Sequence, residues 1–209
     1  MPDQQPDTGE LLRRADAGDI SAEGELLRRH WRRLRQMVSV RIDPRVAARV
    51  DPSDVVQEAF AEATRKLPDY LRNRPVPFYP WLRQIAWERL VHLHAQHVGA
   101  QKRSVTREDW GDFVPDESAM QLVDRLVASG TSPSRRVARD EMRGRVRQAL
   151  QHLSPNYREV VILRHLEQLA FEEVAGVLGI SEAATRSRYR RAMERLHNLL
   201  SDESLGGLR

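Results

Sequence analysis

Cysteine is absent from this 209-residue chain, lysine is confined to Lys66 and Lys102, and phenylalanine, tyrosine and tryptophan occur four times each. Without cysteine there is no disulfide, no thiolate zinc site and no cysteine nucleophile. No apolar run approaches the length of a membrane span. The opening residues, MPDQQPDTGE, are polar and proline-containing, unlike a secretory leader. A soluble, cytoplasmic protein with no membrane partner is expected. Also missing are a phosphate-cradling glycine loop, a nucleophile elbow and a catalytic carboxylate pair. No catalytic residue and no cofactor are therefore expected, and the chain is not read as an enzyme. His92, His94 and His97 raise a metal site, but His92 and His94 cannot share a helical face and no carboxylate pair completes a ligand set. No metal is expected.

What the chain does have is arginine and helical periodicity. The formal charge is +4 and the isoelectric point near 9.9, with 40% hydrophobic residues, enough for a core. Leu27, Trp31, Leu34 and Val38 fall at i, i+4, i+7 and i+11, with arginines around the rest of that helix. Asp51-Pro52-Ser53-Asp54 reads as an N-cap, a proline at the first helical position and an acid in the first turn. Val56, Ala59, Phe60, Ala63 and Leu67 are the buried face of the helix that follows, and Pro68 is expected to stop it. Residues 69–77 read as a loop, and helix resumes near Pro80 with Trp81, Leu82, Ile85, Ala86, Leu90 and Leu93 on its apolar side.

No stretch alternates like a strand, so the whole chain is expected to be all-α: two small helical domains joined by a linker. The expected boundaries are a disordered tail over 1–9, a first domain over 10–103 and a linker over 104–134 carrying one short helix, Ser118–Ala128. A four-helix second domain over 135–202 ends in a helix-turn-helix, and 203–209 is a tail. In the second domain Met142, Val146, Leu150 and Leu153 make one stripe, and Ser154-Pro155 is expected to cap a further helix bearing Val160 and Leu163.

The most informative stretch is 171–200. Phe171, Val174, Ala175 and Leu178 lie on one helical face; Gly179 suits the left-handed residue that ends a helix, Ile180 a buried anchor, and Ser181 the N-cap of the next. In that next helix Tyr189, Met193, Leu196 and Leu200 form an apolar stripe, with Thr185 and Ala192 beside it. The opposite arc carries Ala183, Ala184, Ser187, Arg190 and Arg191, flanked by Arg186 and Arg188. Small residues at the N-terminal end let backbone approach a groove floor while arginines reach phosphates and base edges. A solvated arginine-rich helix is the alternative; the Leu-Gly-Ile-Ser turn and the small-residue face favour DNA.

In the first half, Asp54, Glu58 and Glu62 line up at i, i+4 and i+8 with Gln57 adjacent. Such a stripe is either a plain solvated face or a docking surface for a basic partner. Arg89 falls in the middle of an apolar face, where a guanidinium needs a carboxylate; Asp54 or Glu58 is expected to supply it. Trp81 and Trp87 lie on different sides of their helix beside Arg83, Arg72 and Arg74, a composition suited to stacking unpaired bases. Packing against neighbouring helices is the alternative for each tryptophan.

Two stretches agree on one family. Asp54-Val55-Val56-Gln57-Glu58-Ala59-Phe60 with Phe78-Tyr79-Pro80-Trp81-Leu82-Arg83-Gln84-Ile85-Ala86 resembles the second conserved region of bacterial RNA polymerase sigma factors of the extracytoplasmic-function group, in the sigma-70 family. Leu153-Ser154-Pro155, Arg158-Glu159-Val160, Leu163-Arg164, Phe171-Glu172-Glu173-Val174-Ala175 and Leu178-Gly179-Ile180-Ser181 are similar to the group's fourth region. The resemblance implies a transcription initiation factor that binds core RNA polymerase and directs it to promoters.

On matching positions it implies that Asp54, Gln57 and Glu58 dock on the clamp helices of the polymerase largest subunit. It implies that Arg72, Asn73, Arg74, Phe78, Trp81, Arg83 and Trp87 melt and hold the −10 element as single strands. Arg186, Ser187, Arg188, Arg190 and Arg191 would meet the −35 duplex, with Arg89, Gly179 and Ser181 structural. Members of the group are also held by anti-sigma proteins, so one is carried as a candidate partner. Four departures stand out: Ala170 where the family usually has a capping Ser or Thr, Thr185 for a usual valine, His92 for a usual aspartate, and a linker longer than typical. Trp87-Glu88-Arg89-Leu90 with the Thr131-Ser132-Pro133-Ser134 linker is similar to the variant common in planctomycetes. A dimeric helix-turn-helix regulator that is not a polymerase subunit is the rival reading, and a recombinase-like nucleic-acid enzyme ranks behind both.

Overall fold

The structure, a computed structural model of the chain, describes residues 7–98, 144–146 and 148–201. Among these residues every regular element is a helix. The chain divides into two compact units, Met1–Gln101 and Lys102–Arg209. The expected linker, its short helix and Met142 lie outside the described residues.

The first unit is built on α1 (Thr8–Asp16), α2 (Ile20–Arg41), a short α3 (Pro44–Ala47), α4 (Pro52–Asn73) and α5 (Phe78–Val98). Helix begins at Thr8, two residues earlier than expected, because the Asp7 carboxylate accepts from the Glu10 N–H at 2.7 Å and caps it. Asp19 caps α2 in the same way, accepting from the N–H groups of Ser21 and Ala22. Hydrogen bonds from Ser21 and Arg14 hold its carboxyl far below the ordinary range. Asp51 caps α4 through the Ser53 N–H at 2.7 Å, with Pro52 at the first helical position. Leu26, Leu34, Met37 and Val38 of α2 form the centre of the core, against Leu11 of α1, Val56 and Ala63 of α4, and Leu82 and Leu90 of α5. Truncating any of these leucines to alanine would cost about 2–5 kcal/mol. That is a large part of the roughly 5–15 kcal/mol by which a domain is stable.

Pro68 does not stop α4. The helix runs five residues further to Asn73 and ends at Arg74, which takes the left-handed conformation (φ 39°) with its N–H on the Tyr70 carbonyl. A mid-helix proline removes one hydrogen bond and crowds the carbonyl four residues back. Here Pro68 and Thr64 are both exposed, so the missing bond lies on the solvent side of α4. Leu67 before the proline and Tyr70 and Leu71 beyond it are buried, and the Tyr70 hydroxyl donates to the Val76 carbonyl at 2.9 Å. Packing on both sides of Pro68 outweighs its local preference.

In the second unit, residues 148–152 are helical and precede α6 (Pro155–His165), α7 (Phe171–Leu178) and α8 (Glu182–Ser201). Ser154 stands at the N-cap of α6 with Pro155 after it, although its side chain makes no capping bond. The sequence motif's Arg158 has a structural use that spacing did not reveal. Its guanidinium donates to the carbonyls of Leu150, Gln151 and Leu153 at 2.9, 3.0 and 3.1 Å, closing the preceding helix end. Val146, Leu150, Leu153, Val160, Leu163, Leu166, Val174 and Leu196 form the core of this unit.

Candidate functional site

The helix pair α7–α8 is shaped by its caps. Ala170 has no acceptor to offer the first turn of α7, and only the returning half of a capping box forms, the Ala170 N–H donating to Glu173 Oε2 at 2.8 Å. Gly179 closes α7 in the left-handed conformation (φ 65°). Ser181 Oγ then accepts from the Ala184 N–H at 3.2 Å and starts α8. Ile180, expected as a buried anchor, is half-buried. Thr185 is fully buried, its hydroxyl donating to the Ser181 carbonyl at 3.0 Å. A local acceptor thus satisfies the polar group that replaces an aliphatic one.

Thr185, Ala192 and Leu196 hold α8 to the unit, with Tyr189 and Met193 half-buried beside them. Tyr189 is fixed from two sides. His165 stacks on it with its Nε2 3.0 Å from the hydroxyl, and Phe171 meets it edge-on at 5.4 Å. Burial, and secondarily the Arg164 charge, push the His165 pKa below its ordinary value.

The outward arc of α8 carries exposed Ala183, Ala184, Arg186, Arg190 and Arg191, with Ser187 and Arg188 half-buried. An open groove of about 470 Å³ runs between this arc and the start of α6, lined by Asn156, Tyr157, Ala184, Ser187, Arg188 and Arg191. Small residues, hydroxyls and guanidinium groups converge there beside a helix N-terminus, an arrangement suited to phosphate.

In the first unit Asp54, Gln57 and Glu58 are exposed on one side of α4. Glu62, the third acid of the stripe, is taken up by its own helix through Lys66 at 3.1 Å and Arg65. Lys66 first, then the Arg65 charge, lower its carboxyl pKa. The outward acidic surface is therefore narrower than the sequence spacing suggests.

Arg89 reaches Glu58, one of its two expected partners, at 3.9 Å, but it is not a buried guanidinium: its side chain is 36% exposed. It lies at the rim of the apolar face of α5. Among the described residues the buried arginines are instead Arg41 and Arg83, whose guanidinium groups face the Trp87 ring at 5.6 and 5.9 Å. Near them the Asp43 N–H donates to His94 Nε2 at 3.1 Å, a bond that only a neutral imidazole can accept. Among the described residues no group of three or more histidines and acids is placed to hold a metal.

The seven residues assigned to single-strand contact divide by exposure. Arg72, Asn73 and Arg74 are exposed at the end of α4, and Arg74 is held by Asp16 of α1 at 3.1 Å. Trp81 is half-buried, tilted against Tyr70 at 4.5 Å and beside Phe78 at 5.5 Å, and Trp87 is half-buried as well. Phe78 (3%) and Arg83 (5%) are buried, each against one of the tryptophans. A one-dimensional reading missed this because Phe78 meets His30 as well as Tyr70, and His30 lies on the distant α2.

Comparison with known proteins supplies the context for these two surfaces. Residues 143–196 match the family described as Sigma-70, region 4. RNA polymerase sigma-H factor of Pseudomonas aeruginosa is 32% identical over 151 residues, 72% of this chain and 73% of that protein. This chain is an RNA polymerase sigma factor of the sigma-70 family. The ECF RNA polymerase sigma-E factor of Escherichia coli K12 is 29% identical over 188 residues, covering 90% of this sigma factor and 91% of its relative, and places it in the extracytoplasmic-function group. A solved structure of CnrH in complex with the cytosolic domain of CnrY matches 91% of the chain and 94% of CnrH, at 27% identity and a TM-score of 0.50. The sigma factor is thus a transcription initiation factor, and the rival of a dimeric regulator outside the polymerase is set aside. None of its described helices is long and apolar enough to cross a membrane.

Proposed function

We propose that this sigma factor docks on core RNA polymerase through Asp54, Gln57 and Glu58 and reads a promoter with two separated elements. The first unit, with its domain over residues 10–103, holds the −10 element as separated strands, and the second reads the −35 element as duplex. It does no covalent chemistry itself and acts in the cytoplasm with the polymerase. The observation that carries the reading is the outward arc of α8. Arg186, Ser187, Arg188, Arg190 and Arg191 stand around small residues at the start of a capped helix, and the groove beside them is basic.

At the −10 side, Arg72, Asn73 and Arg74 offer phosphate contacts, and Trp81 and Trp87 offer ring faces to unpaired bases, each worth about 1–3 kcal/mol where a base stacks. Phe78 and Arg83 act through the tryptophans they pack against. The polymerase side is acidic and exposed, as docking on a basic helical partner requires. CnrH has been solved with the cytosolic domain of CnrY; by analogy, an inhibitory anti-sigma protein covering the same surfaces is proposed here.

The decisive test of docking is Glu58→Arg. The variant should lose capture by purified bacterial core polymerase while its far-ultraviolet circular dichroism is unchanged. Capture at the wild-type level would move the docking surface off α4.

A further inference from the structure

Arg186 stands on the outward arc of α8, yet its guanidinium is engaged within the protein. Its Nε and Nη2 both donate to Glu182 Oε1, at 3.0 and 2.5 Å. Its guanidinium carbon lies 4.5 Å from the centre of the Phe171 ring. That ring is itself held in place. It meets Tyr189 edge-on, and Arg164 lies over it at 4.3 Å while donating to the Leu169 carbonyl. By contrast, Arg190 approaches its own neighbour, Glu194, only to 3.8 Å.

An acid in the first turn of α8 has an ordinary explanation, since it favours the helix dipole. The dipole does not require that acid to grip Arg186, nor an aromatic ring to sit under the same guanidinium. Both partners of the pair are part-exposed, 59% and 46%, so it can open without stranding a buried charge.

We propose that Glu182, with Phe171 beneath, is a specificity-determining restraint on Arg186: it keeps the guanidinium from phosphates until a matching base edge offers a better acceptor. This rests on reading α8 as the duplex-facing helix. Phosphate contact is independent of sequence and draws its strength from counterion release. A cation already neutralised by a carboxylate releases less, so binding to the wrong duplex weakens. A guanine edge presents two acceptors in the geometry of the guanidinium fork and can displace the carboxylate. Specificity is the difference between these affinities, so weakening the indiscriminate one sharpens the choice.

The experiment uses the full chain assembled with bacterial core polymerase. Affinity is measured across a salt series for two duplexes: an upstream element selected from a random pool, and a scrambled sequence. Glu182→Gln should steepen the log–log salt slope on the scrambled duplex by about 0.9 and raise affinity there about threefold. The ratio of selected to scrambled affinity should fall. Phe171→Leu should move the same way by less. In an Arg186→Ala background Glu182→Gln should change neither quantity. An equal gain in both backgrounds would reduce Glu182 to general charge repulsion and overturn the proposal. A silent Glu182→Gln beside a damaging Arg186→Ala sinks the restraint alone. If Arg186→Ala leaves both duplexes unaffected, the assignment of α8 to DNA falls too, and the restraint with it.

Discussion

Single side chains in this molecule change meaning according to what they touch. His165 is one of seven histidines, and nothing in its spacing marks it out. Between Arg164 and Tyr189 it becomes a half-buried imidazole whose pKa lies below the ordinary 6.5, chiefly through burial. The sign of its effect on stability follows. Above about pH 6.5 both the folded and the unfolded chain keep it neutral, and folding is not opposed. As pH falls below that value the unfolded chain takes the proton first, and stability is lost. The thermal midpoint of the second unit should therefore fall between about pH 7.5 and about pH 5.5. His165→Gln, which keeps a hydrogen-bonding partner for Tyr189, should flatten that fall; an unchanged slope would assign the acid sensitivity to another group. Arg41 and Arg83 teach the same lesson at the other end of the chain. Burial was expected of Arg89, which is 36% exposed, and not of these two, because a helical wheel does not say which rim of an apolar face meets solvent.

At the scale of elements, helix starts and stops were the most legible features. Asp51, Gly179 and Ser181 act within three or four residues of their own position, so their chemistry is written in adjacent letters. Pro68 was misread for the complementary reason. Its local preference is to break α4, but Leu67, Tyr70 and Leu71 are buried on either side of it, Tyr70 against Phe78 and Trp81 of α5, and carry the helix through. Pro68 is exposed, so alanine there should fit without clash and restore a helical hydrogen bond. Pro68→Ala is expected to stabilise the first unit by about 1–3 kcal/mol, read from chemical denaturation, the lower end reflecting the greater freedom of its unfolded chain. A loss of stability would mean that the packing of Tyr70 and Trp81 requires the proline.

For the whole molecule the two compact units fit a division of labour between separated strands and intact duplex. Each need bind only weakly, because tethering raises the effective concentration of the second. Cutting the chain between residues 101 and 144 and supplying both halves to core polymerase should lower promoter affinity about 10²- to 10⁴-fold. Promoter-directed transcripts at matched concentrations would read the loss; undiminished transcription would mean that the units need no covalent link. By itself the sequence determined the all-α class, the caps at Asp51, Gly179 and Ser181, the family and the arginine arc of α8, since each depends on neighbours within a turn or on a short motif. Only the tertiary structure decided that Phe78 and Arg83 are buried, that Glu62 is neutralised along its own helix, and that Arg186 is held by Glu182 over Phe171. Those outcomes depend on side-chain geometry and on which helices come together, and periodicity along one strand of text does not encode it.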